Sequence, residues 1–135
     1  MNSMGNSAGQ EAPRIRALLV DDFRFVIHIL TELLERLGRF DVVGVAHSGT
    51  EGVRLATELE PDLVLLDLNM PGLNGLDVTR TLCKADHTPK IVMITLDDDA
   101  RFHRIALEAG AAAFCSKLDL DSRLPEILAD LFPET

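Results

Sequence analysis

The sequence predicts an α/β fold, with a doubly wound five-stranded parallel sheet and helices on both faces. Five short apolar runs, rich in Val, Ile, Leu or Ala, begin at residues 15, 41, 62, 90 and 111. Their few polar breaks are typical of strands that are buried on both faces, and helical periodicity fills the gaps between them. A length of 135 residues fits one domain, which we place at 14–133 after a Gly- and Ser-rich tail at 1–13. We expect that tail to be disordered.

The first strand is IRALLV at 15–20, and the second is DVVGVA at 41–46. Between them, apolar residues recur at three- and four-residue spacing from Val26 to Leu37. This spacing indicates the buried face of an amphipathic helix. Gly38 follows, and glycine is common just past a helix C-terminus because it adopts a positive φ without strain. We therefore expect the first helix to end there.

The second helix is predicted from Ser48 and Glu51, whose spacing is that of a capping box. It must end before Pro61, because the residue that precedes a proline disfavours helical backbone. The third strand is then DLVLLD at 62–67, and the third helix follows at 74–84.

The last part of the chain repeats this alternation. The fourth strand is KIVMIT at 90–95, a helix follows at 100–109, and the fifth strand is AAAFCS at 111–116. We expect the final helix to begin near Ser122. Pro125 would then lie in the first turn, where its missing N–H costs little.

The composition excludes several classes of function. Thirteen Lys and Arg against 22 Asp and Glu give a net charge of −9, which repels a phosphate backbone, so we expect no direct nucleic-acid binding. No apolar run is long enough to span a membrane, and the N-terminus lacks a signal-peptide pattern. Cys83 and Cys115 have no paired spacing, which is typical of free, buried thiols in a reducing compartment. We therefore expect a cytoplasmic protein without membrane contact.

Polar side chains stand where four of the predicted strands end. Asp21 and Asp22 follow the first strand, Asp67 ends the third, Thr95 ends the fourth and Lys117 follows the fifth. Taken singly, each is ordinary in a turn or on a surface. The carboxyl ends of parallel strands share one edge, however, and ligands bind at that edge. The coincidence of these residues there predicts a functional site.

A divalent cation would explain the acidic residues at this edge. If the first and third strands are neighbours, Asp21, Asp22 and Asp67 lie close together and repel one another unless a cation sits among them. Mg²⁺ suits such a site because it binds carboxylates, water and phosphate oxygens, with Mn²⁺ as an alternative. We expect Asp22 and Asp67 to be ligands, Asp21 to bind directly or through water, and the backbone carbonyl of Asn69 to add a further ligand.

The same residues suit phosphoryl transfer to a carboxylate. A cation screens the negative charges of the carboxylate and of the phosphate donor, which lets the carboxylate attack phosphorus. Asp67 is the best candidate for the nucleophile because it stands centrally at the predicted edge. Lys117 would pair with phosphate oxygens, and the Thr95 hydroxyl would donate a hydrogen bond to one of them.

At these residues the sequence resembles the receiver domain of two-component response regulators, over about residues 14–132. The wording is closest to receivers that are linked to helix-turn-helix output domains. Four motifs carry the resemblance in order and spacing: VDD at 20–22, LLDLNMPGLNG at 65–75, ITLDD at 94–98 and GAAAFCSK at 110–117. The resemblance implies a flavodoxin-like sheet with strand order 2-1-3-4-5.

The resemblance also implies a role for each site residue. Asp67 is similar to the phosphorylated aspartate, Asp21 and Asp22 to the acidic metal pair, and Lys117 to the basic partner of the phosphoryl group. The remaining implied roles are the metal-binding carbonyl at Asn69, the responding hydroxyl at Thr95, the switch aromatic at Phe114, and side chains that tune the lifetime of the phosphoryl group at Asn69 and Asp97.

Such a domain is a phosphorylation switch, not a turnover enzyme. Its implied donor is a sensor histidine kinase or a phosphotransfer protein, and it would also dephosphorylate itself. Its fourth helix, fifth strand and fifth helix would form the surface for a downstream protein or for a homodimer. Two departures from the family stand out: Phe114 replaces the Tyr of many relatives, and Leu118 stands where many have a proline after a cis peptide bond. We expect a trans Lys117–Leu118 bond, or a cis one under strain.

Four other functions have to be weighed. An acid phosphatase of the haloacid-dehalogenase type would need a second Asp two residues after Asp67, and Asn69 cannot transfer that proton. A flavodoxin-like flavin binder would have to hold a phosphate beside Asp21 and Asp22, which would repel it. The chain could also be an unphosphorylated docking module, or the receiver half of a longer DNA-binding transcription regulator.

Overall fold

The described residues form one parallel sheet of five strands flanked by five α-helices. The computed structural model describes residues 14–70, 72–96 and 100–134, so the expected tail at 1–13 lies outside the described residues. The strands are β1 Ile15–Val20, β2 Phe40–Ala46, β3 Leu63–Asp67, β4 Lys90–Thr95 and β5 Ala113–Ser116. The helices are α1 Arg24–Leu37, α2 Gly49–Leu59, α3 Gly75–Leu82, α4 Ala100–Ala109 and α5 Leu120–Leu131.

The sheet has the order β2-β1-β3-β4-β5, with every pair parallel, which confirms the predicted fold and strand order. In the register of β1 with β3, Leu18 lies opposite Val64 and Val20 opposite Leu66. The chain therefore moves from the first strand outward to β2 and then crosses back to β3. This reversal leaves the carboxyl ends of β1 and β3 side by side.

Alternate residues of each central strand pack on opposite faces of the sheet, as the period of a strand requires. Ala17 and Leu19 of β1 belong to the core that α1 and α5 cover. Leu18 and Val20 belong to the second core, which includes apolar residues of α2, α3 and α4. Strands with apolar side chains on both faces are stable only between two helical layers, so the continuous apolar runs of the sequence are explained.

The helix-end signals of the sequence are confirmed at α1 and α2. Gly38 has φ of 78°, and its N–H donates to the carbonyls of Leu34 and Glu35. The Ser48 hydroxyl accepts from the N–H of Glu51 at 3.2 Å. The Glu51 carboxylate in turn accepts from the N–H of His47 at 2.8 Å, which completes a capping box displaced by one residue. These caps fix the loop between β2 and α2 beside the end of β1.

The predicted start of the last helix near Ser122 is wrong. A 3-10 turn at Lys117–Asp119 follows β5 directly and leads into α5 at Leu120. The Ser116 hydroxyl caps this turn by accepting from the N–H of Leu118 at 3.1 Å. Pro125 therefore lies inside α5 and not in its first turn. Its ring removes one N–H from the helix near an exposed end, where water can satisfy the carbonyl that lacks a donor.

At most of the other helix and strand ends, the predicted boundary lies within two residues of the observed one. β5 is shorter than expected, because Ala111 and Ala112 precede the strand proper. Along the three described ranges, no helix combines the length and the apolarity that a membrane crossing demands.

Candidate functional site

Three carboxylates meet where β1 and β3 end. Asp21 and Asp22 follow β1 directly, and Asp67 is the last residue of β3. One oxygen from each carboxylate lies within 4.8 Å of the other two. Asp21 is 1% exposed and Asp67 is 4% exposed, whereas Asp22 faces solvent. The expected proximity of the three acidic side chains is thus confirmed, and two of them are held away from water.

Lys117, which directly follows β5, extends its side chain to this cluster. Its Nζ lies 3.1 Å from Asp21 Oδ2 and 3.5 Å from Asp67 Oδ1, and its side chain is only 11% exposed. A buried ammonium that pairs with two carboxylates is screened little by solvent. The ion pair therefore offsets one of the three negative charges and leaves an excess of two.

Asp21 is held rigidly by the backbone around it. Its N–H donates to the Ala46 carbonyl at 3.0 Å, and its Oδ1 accepts from the N–H of Phe23 at 2.8 Å. The ring of His47, which sequence reasoning did not single out, donates from Nδ1 to the Asp21 carbonyl at 3.2 Å. These contacts fix the position of the carboxylate, although they do not neutralise it.

The second oxygen of Asp21 is paired with the Lys117 ammonium but is otherwise poorly satisfied. Oδ2 is buried and accepts no well-aligned hydrogen bond from the described part of the chain, although Lys117 Nζ lies 3.1 Å away. Burial raises the pKa of Asp21 above its ordinary value, and the nearby charge of Asp67 adds to this. The hydrogen bond from Phe23 and the charge of Lys117 act in the opposite direction without cancelling the effect. A cation beside Oδ2 would remove this cost.

The residues present fit a hard divalent cation. The donor set consists of oxygen atoms, includes the exposed Asp22, and has one buried carboxylate oxygen that accepts no well-aligned hydrogen bond from the described residues. Carboxylate clusters of this kind are the usual protein ligands of Mg²⁺, which keeps several waters when it binds. The excess negative charge supplies a reason for binding, because three close carboxylates otherwise repel one another.

Asn69 and Thr95 complete the polar groups beside Asp67. The N–H of Asn69 donates to Asp67 Oδ1 at 3.1 Å, and its side-chain amide donates to Thr95 Oγ1 at 2.9 Å. Thr95 is fully buried at the end of β4. Gly75 lets this loop fold back on the strand, because a Cβ there would lie 2.8 Å from the Asp67 carbonyl oxygen.

The site opens to solvent through a shallow cleft of about 310 Å³. It is lined by Asp22, Phe23, Asp67, Asn69, Leu96 and Lys117. Phe23 is 59% exposed and Leu96 is 64% exposed, so the polar floor has an apolar margin. Sequence reasoning missed this apolar margin. The sequence does indicate it, because Phe23 directly follows the acidic pair and Leu96 directly follows Thr95.

Phe114 lies on β5, away from the carboxylates. It is 9% exposed, and its ring centroid is 4.0 Å from that of His103 on α4, with the ring planes inclined by 36°. This contact joins α4 to β5. It was not foreseen, because the sequence pattern of α4 does not determine which of its side chains meets Phe114. Asp97 lies outside the described residues. The Lys117–Leu118 bond is trans, as expected.

Comparison with known proteins identifies the family and the fold. A response regulator receiver domain profile matches residues 17–129. The chain belongs to the receiver domain family. The resemblance seen in the sequence is therefore confirmed, and the receiver domain is the part of a response regulator that receives the signal.

Individual relatives agree with this assignment. The transcriptional regulatory protein LiaR of Bacillus subtilis is 42% identical over 105 residues, which cover 76% of this chain and 49% of the relative. The response regulator GacA of Pseudomonas viridiflava is 41% identical over 103 residues, covering 76% and 48%. The chain thus spans about half the length of these curated relatives.

A solved structure extends the agreement to the fold. The LuxR-family two-component response regulator from Aurantimonas sp. superposes with a TM-score of 0.82 at 31% identity, covering 87% of this receiver domain and 84% of that chain. Predicted family, fold and class of function are therefore confirmed, while the role of each site residue stays a prediction.

Proposed function

We propose that Asp67 is the phosphoacceptor of this receiver domain and that the cluster of Asp21, Asp22 and Asp67 binds Mg²⁺ for the transfer. The observation that carries the proposal is the position of Asp67, which belongs to the acidic cluster, contacts Lys117 and also lines the open cleft. Asp21 is a poorer acceptor, because it is fully buried and its Oδ1 is held by the N–H of Phe23.

In this transfer Asp67 acts as the nucleophile. A carboxylate oxygen of Asp67 forms a bond to the phosphorus of a phosphohistidine on a histidine kinase or a phosphotransfer protein. The phosphorus–nitrogen bond breaks, and its electron pair returns to the imidazole. Oδ1 of Asp67 already contacts the N–H of Asn69 and Lys117, so we assign Oδ2 as the attacking atom. Bound Mg²⁺ would screen the charges of the donor and the acceptor.

The side chains around Asp67 suit the product as well as the reaction. Lys117 Nζ already lies 3.5 Å from Asp67 Oδ1. It can therefore exchange part of this contact for one with an oxygen of a phosphoryl group carried by Asp67. The Thr95 hydroxyl, which accepts from the Asn69 side chain at 2.9 Å, can respond by donating to the phosphoryl group. Asp22, Asp67 and the carbonyl of Asn69 would hold the metal, with Asp21 binding directly or through water.

The switch would run from Thr95 through β4 to Phe114 and α4. Phe114 has no hydroxyl, so its response must rest on the packing of its ring against His103. We propose that the surface formed by α4, β5 and α5 then binds a downstream protein or a second copy of the domain. The acyl phosphate ends when water attacks phosphorus and releases phosphate, and we expect Asn69 and Asp97 to tune that rate.

The whole protein's output is a proposal that rests on relatives of which this chain covers about half the length. One of them is named a transcriptional regulatory protein. We propose that residues 14–133 act as the receiver half of such a regulator, with DNA contacts made by a separate output domain. A cytoplasmic location belongs to the same proposal.

Mass spectrometry of the intact protein tests the acceptor. After incubation with acetyl phosphate and Mg²⁺, we expect one added phosphate on the wild type and on Asp41→Asn, a matched exposed control, but none on Asp67→Asn. Phosphate that persists on Asp67→Asn would refute the assignment. A wild type that stays unmodified, with phosphohistidine donors as well, would favour the unphosphorylated docking module.

A further inference from the structure

One residue bridges the proposed acceptor and the proposed responding group. Asn69 donates from its backbone N–H to Asp67 Oδ1 at 3.1 Å and from its side-chain amide to Thr95 Oγ1 at 2.9 Å. Both distances are those of well-formed hydrogen bonds. The floor of the cleft is therefore closed by an amide that lies on the Thr95 hydroxyl.

This bond constrains where Thr95 can move. Thr95 is fully buried, so its hydroxyl cannot replace a lost partner with solvent without a further rearrangement. A hydroxyl has one proton and two lone pairs, and donation from Asn69 occupies one lone pair and fixes the oxygen in place. If Thr95 moves to donate to a phosphoryl group on Asp67, its oxygen leaves the position at which it now accepts from the Asn69 amide.

We propose that the Asn69 side chain is a positioning residue that holds Thr95 in the unphosphorylated conformation, so that the response to phosphorylation must break the Asn69–Thr95 hydrogen bond. The inference rests on the proposed function and adds regulation to the same site. It differs from an effect on hydrolysis, because it acts on the equilibrium between conformers before any phosphoryl group is lost.

The consequence can be measured as an affinity. A ligand that binds only one conformer binds more tightly when a larger fraction of the protein already occupies that conformer. The free energy of one neutral hydrogen bond corresponds to a change of roughly 3- to 10-fold in that equilibrium. Removing the Asn69 amide should therefore tighten the binding of a phosphoryl analogue by about this factor.

Beryllofluoride with Mg²⁺, titrated by ¹⁹F NMR, is the suitable probe. Asn69→Ala removes the amide but keeps the backbone carbonyl assigned to the metal, and we expect it to bind beryllofluoride several-fold more tightly than the wild type. Thr95→Val provides the matched background, because it lacks the oxygen that Asn69 contacts. Adding Asn69→Ala to Thr95→Val should leave the affinity unchanged.

A second measurement follows the conformation of the metal-free variant, with the beryllofluoride complex as the reference. The backbone amide shifts of residues 92–95 and of Phe114 are compared in the metal-free wild type, in metal-free Asn69→Ala, and in the beryllofluoride complex. We expect the Asn69→Ala shifts to move from the free position toward the bound position. Asn74→Ala, which removes an amide from the same loop but not from Thr95, should leave them in place.

The outcomes separate the two proposals. Equal or weaker beryllofluoride binding by Asn69→Ala, or the same increase in the Thr95→Val background, overturns the role of Asn69 and leaves the acceptor assignment intact. A wild type that takes up no beryllofluoride overturns the proposed function, and the role of Asn69 with it.

Discussion

The Lys117 ammonium lies 3.1 Å from Oδ2 of Asp21, although the two residues lie near opposite ends of the sequence. The same nitrogen lies 3.5 Å from Asp67 Oδ1. Lys117 therefore supplies part of the positive charge that the carboxylates need. Among the described residues it is the one cationic side chain within 4 Å of Asp21 and Asp67. The charge of the site depends on this pair more than on any other contact.

Replacing Lys117 should destabilise the metal-free domain. Lys117→Met leaves Asp21 and Asp67 buried without their counter-charge, and breaking a buried ion pair from one side costs about 3 kcal/mol. Urea unfolding without divalent ions measures this loss. Arg123→Met is the control, because its partner Glu126 and the arginine itself are both exposed. We expect that control to change the free energy of unfolding by less than about 1 kcal/mol, and equal losses would contradict the prediction.

Mg²⁺ should stabilise the wild type by mass action. A ligand that binds only the folded state adds about 2.7 kcal/mol at 100 times its Kd. Thermal unfolding at increasing MgCl₂ measures the effect, with Asp22→Asn expected to shift the dependence to higher concentrations. Equal responses of the wild type and of a variant that lacks both Asp21 and Asp22 carboxylates would argue against the site.

The raised pKa of Asp21 predicts a pH dependence in the absence of metal. The folded protein holds the Asp21 proton more tightly than the unfolded chain, because burial disfavours the charged form. This group's destabilising effect is therefore complete above its folded pKa and disappears as the pH falls below the unfolded value. Asp21→Asn should be more stable than the wild type at pH 7, and the difference should shrink toward pH 4.

Urea unfolding in EDTA across that pH range tests the sign. Asp41→Asn, an exposed replacement of the same kind, corrects for the general effect of removing one negative charge. Saturating Mg²⁺ should reverse the order at pH 7, since the wild type gains a ligand that the variant has lost. A difference between Asp21→Asn and wild type that grows as the pH falls would contradict the assignment.

Gly75 should be indispensable for the loop after Asp67. A Cβ at this position would lie 2.8 Å from both the Asp67 carbonyl oxygen and the Leu68 Cα, and neither backbone atom can move aside cheaply. We expect Gly75→Ala to cost about 2 kcal/mol and to reduce phosphate uptake, because the carboxylate would shift. Urea unfolding and intact mass measure the two effects.

Gly72→Ala is the matched control in the same loop. Gly72 has φ of 78°, and a Cβ there would meet no atom within 4 Å. Only the backbone conformation is strained, which costs about 1 kcal/mol. We expect phosphate uptake by this variant to be close to that of the wild type. Similar losses of uptake in both variants would show that loop strain, and not the contact with Asp67, is responsible.

The contact between His103 and Phe114 should appear as a coupling energy. An aromatic pair of this geometry contributes about 0.5–1.5 kcal/mol beyond the burial of its surface. A double-mutant cycle of His103→Ala and Phe114→Leu, followed by urea unfolding, isolates that energy. Strictly additive losses would mean that α4 is held to β5 by other contacts.

The sequence was sufficient for the sheet and for the residues at its edge, because both follow from one-dimensional patterns. Continuous apolar runs require two helical layers, and parallel strands bring Asp21 and Asp67 to one edge whatever the loops do. The sequence was not sufficient for features that depend on the direction in which a side chain points. The exposure of Phe23, the cap at Ser116 that starts α5 early, and the ring of His103 over Phe114 depend on rotations that residue types do not determine.

Asp21 and its lysine partner follow the first and the last strands of the chain, and β3 and β4 lie between those two strands in the sheet. A nascent chain that still lacks β5 has the carboxylates but no ammonium to balance them. The charge balance of the site is therefore complete only in a chain that includes β5, and a copy truncated before Lys117 should receive no phosphoryl group.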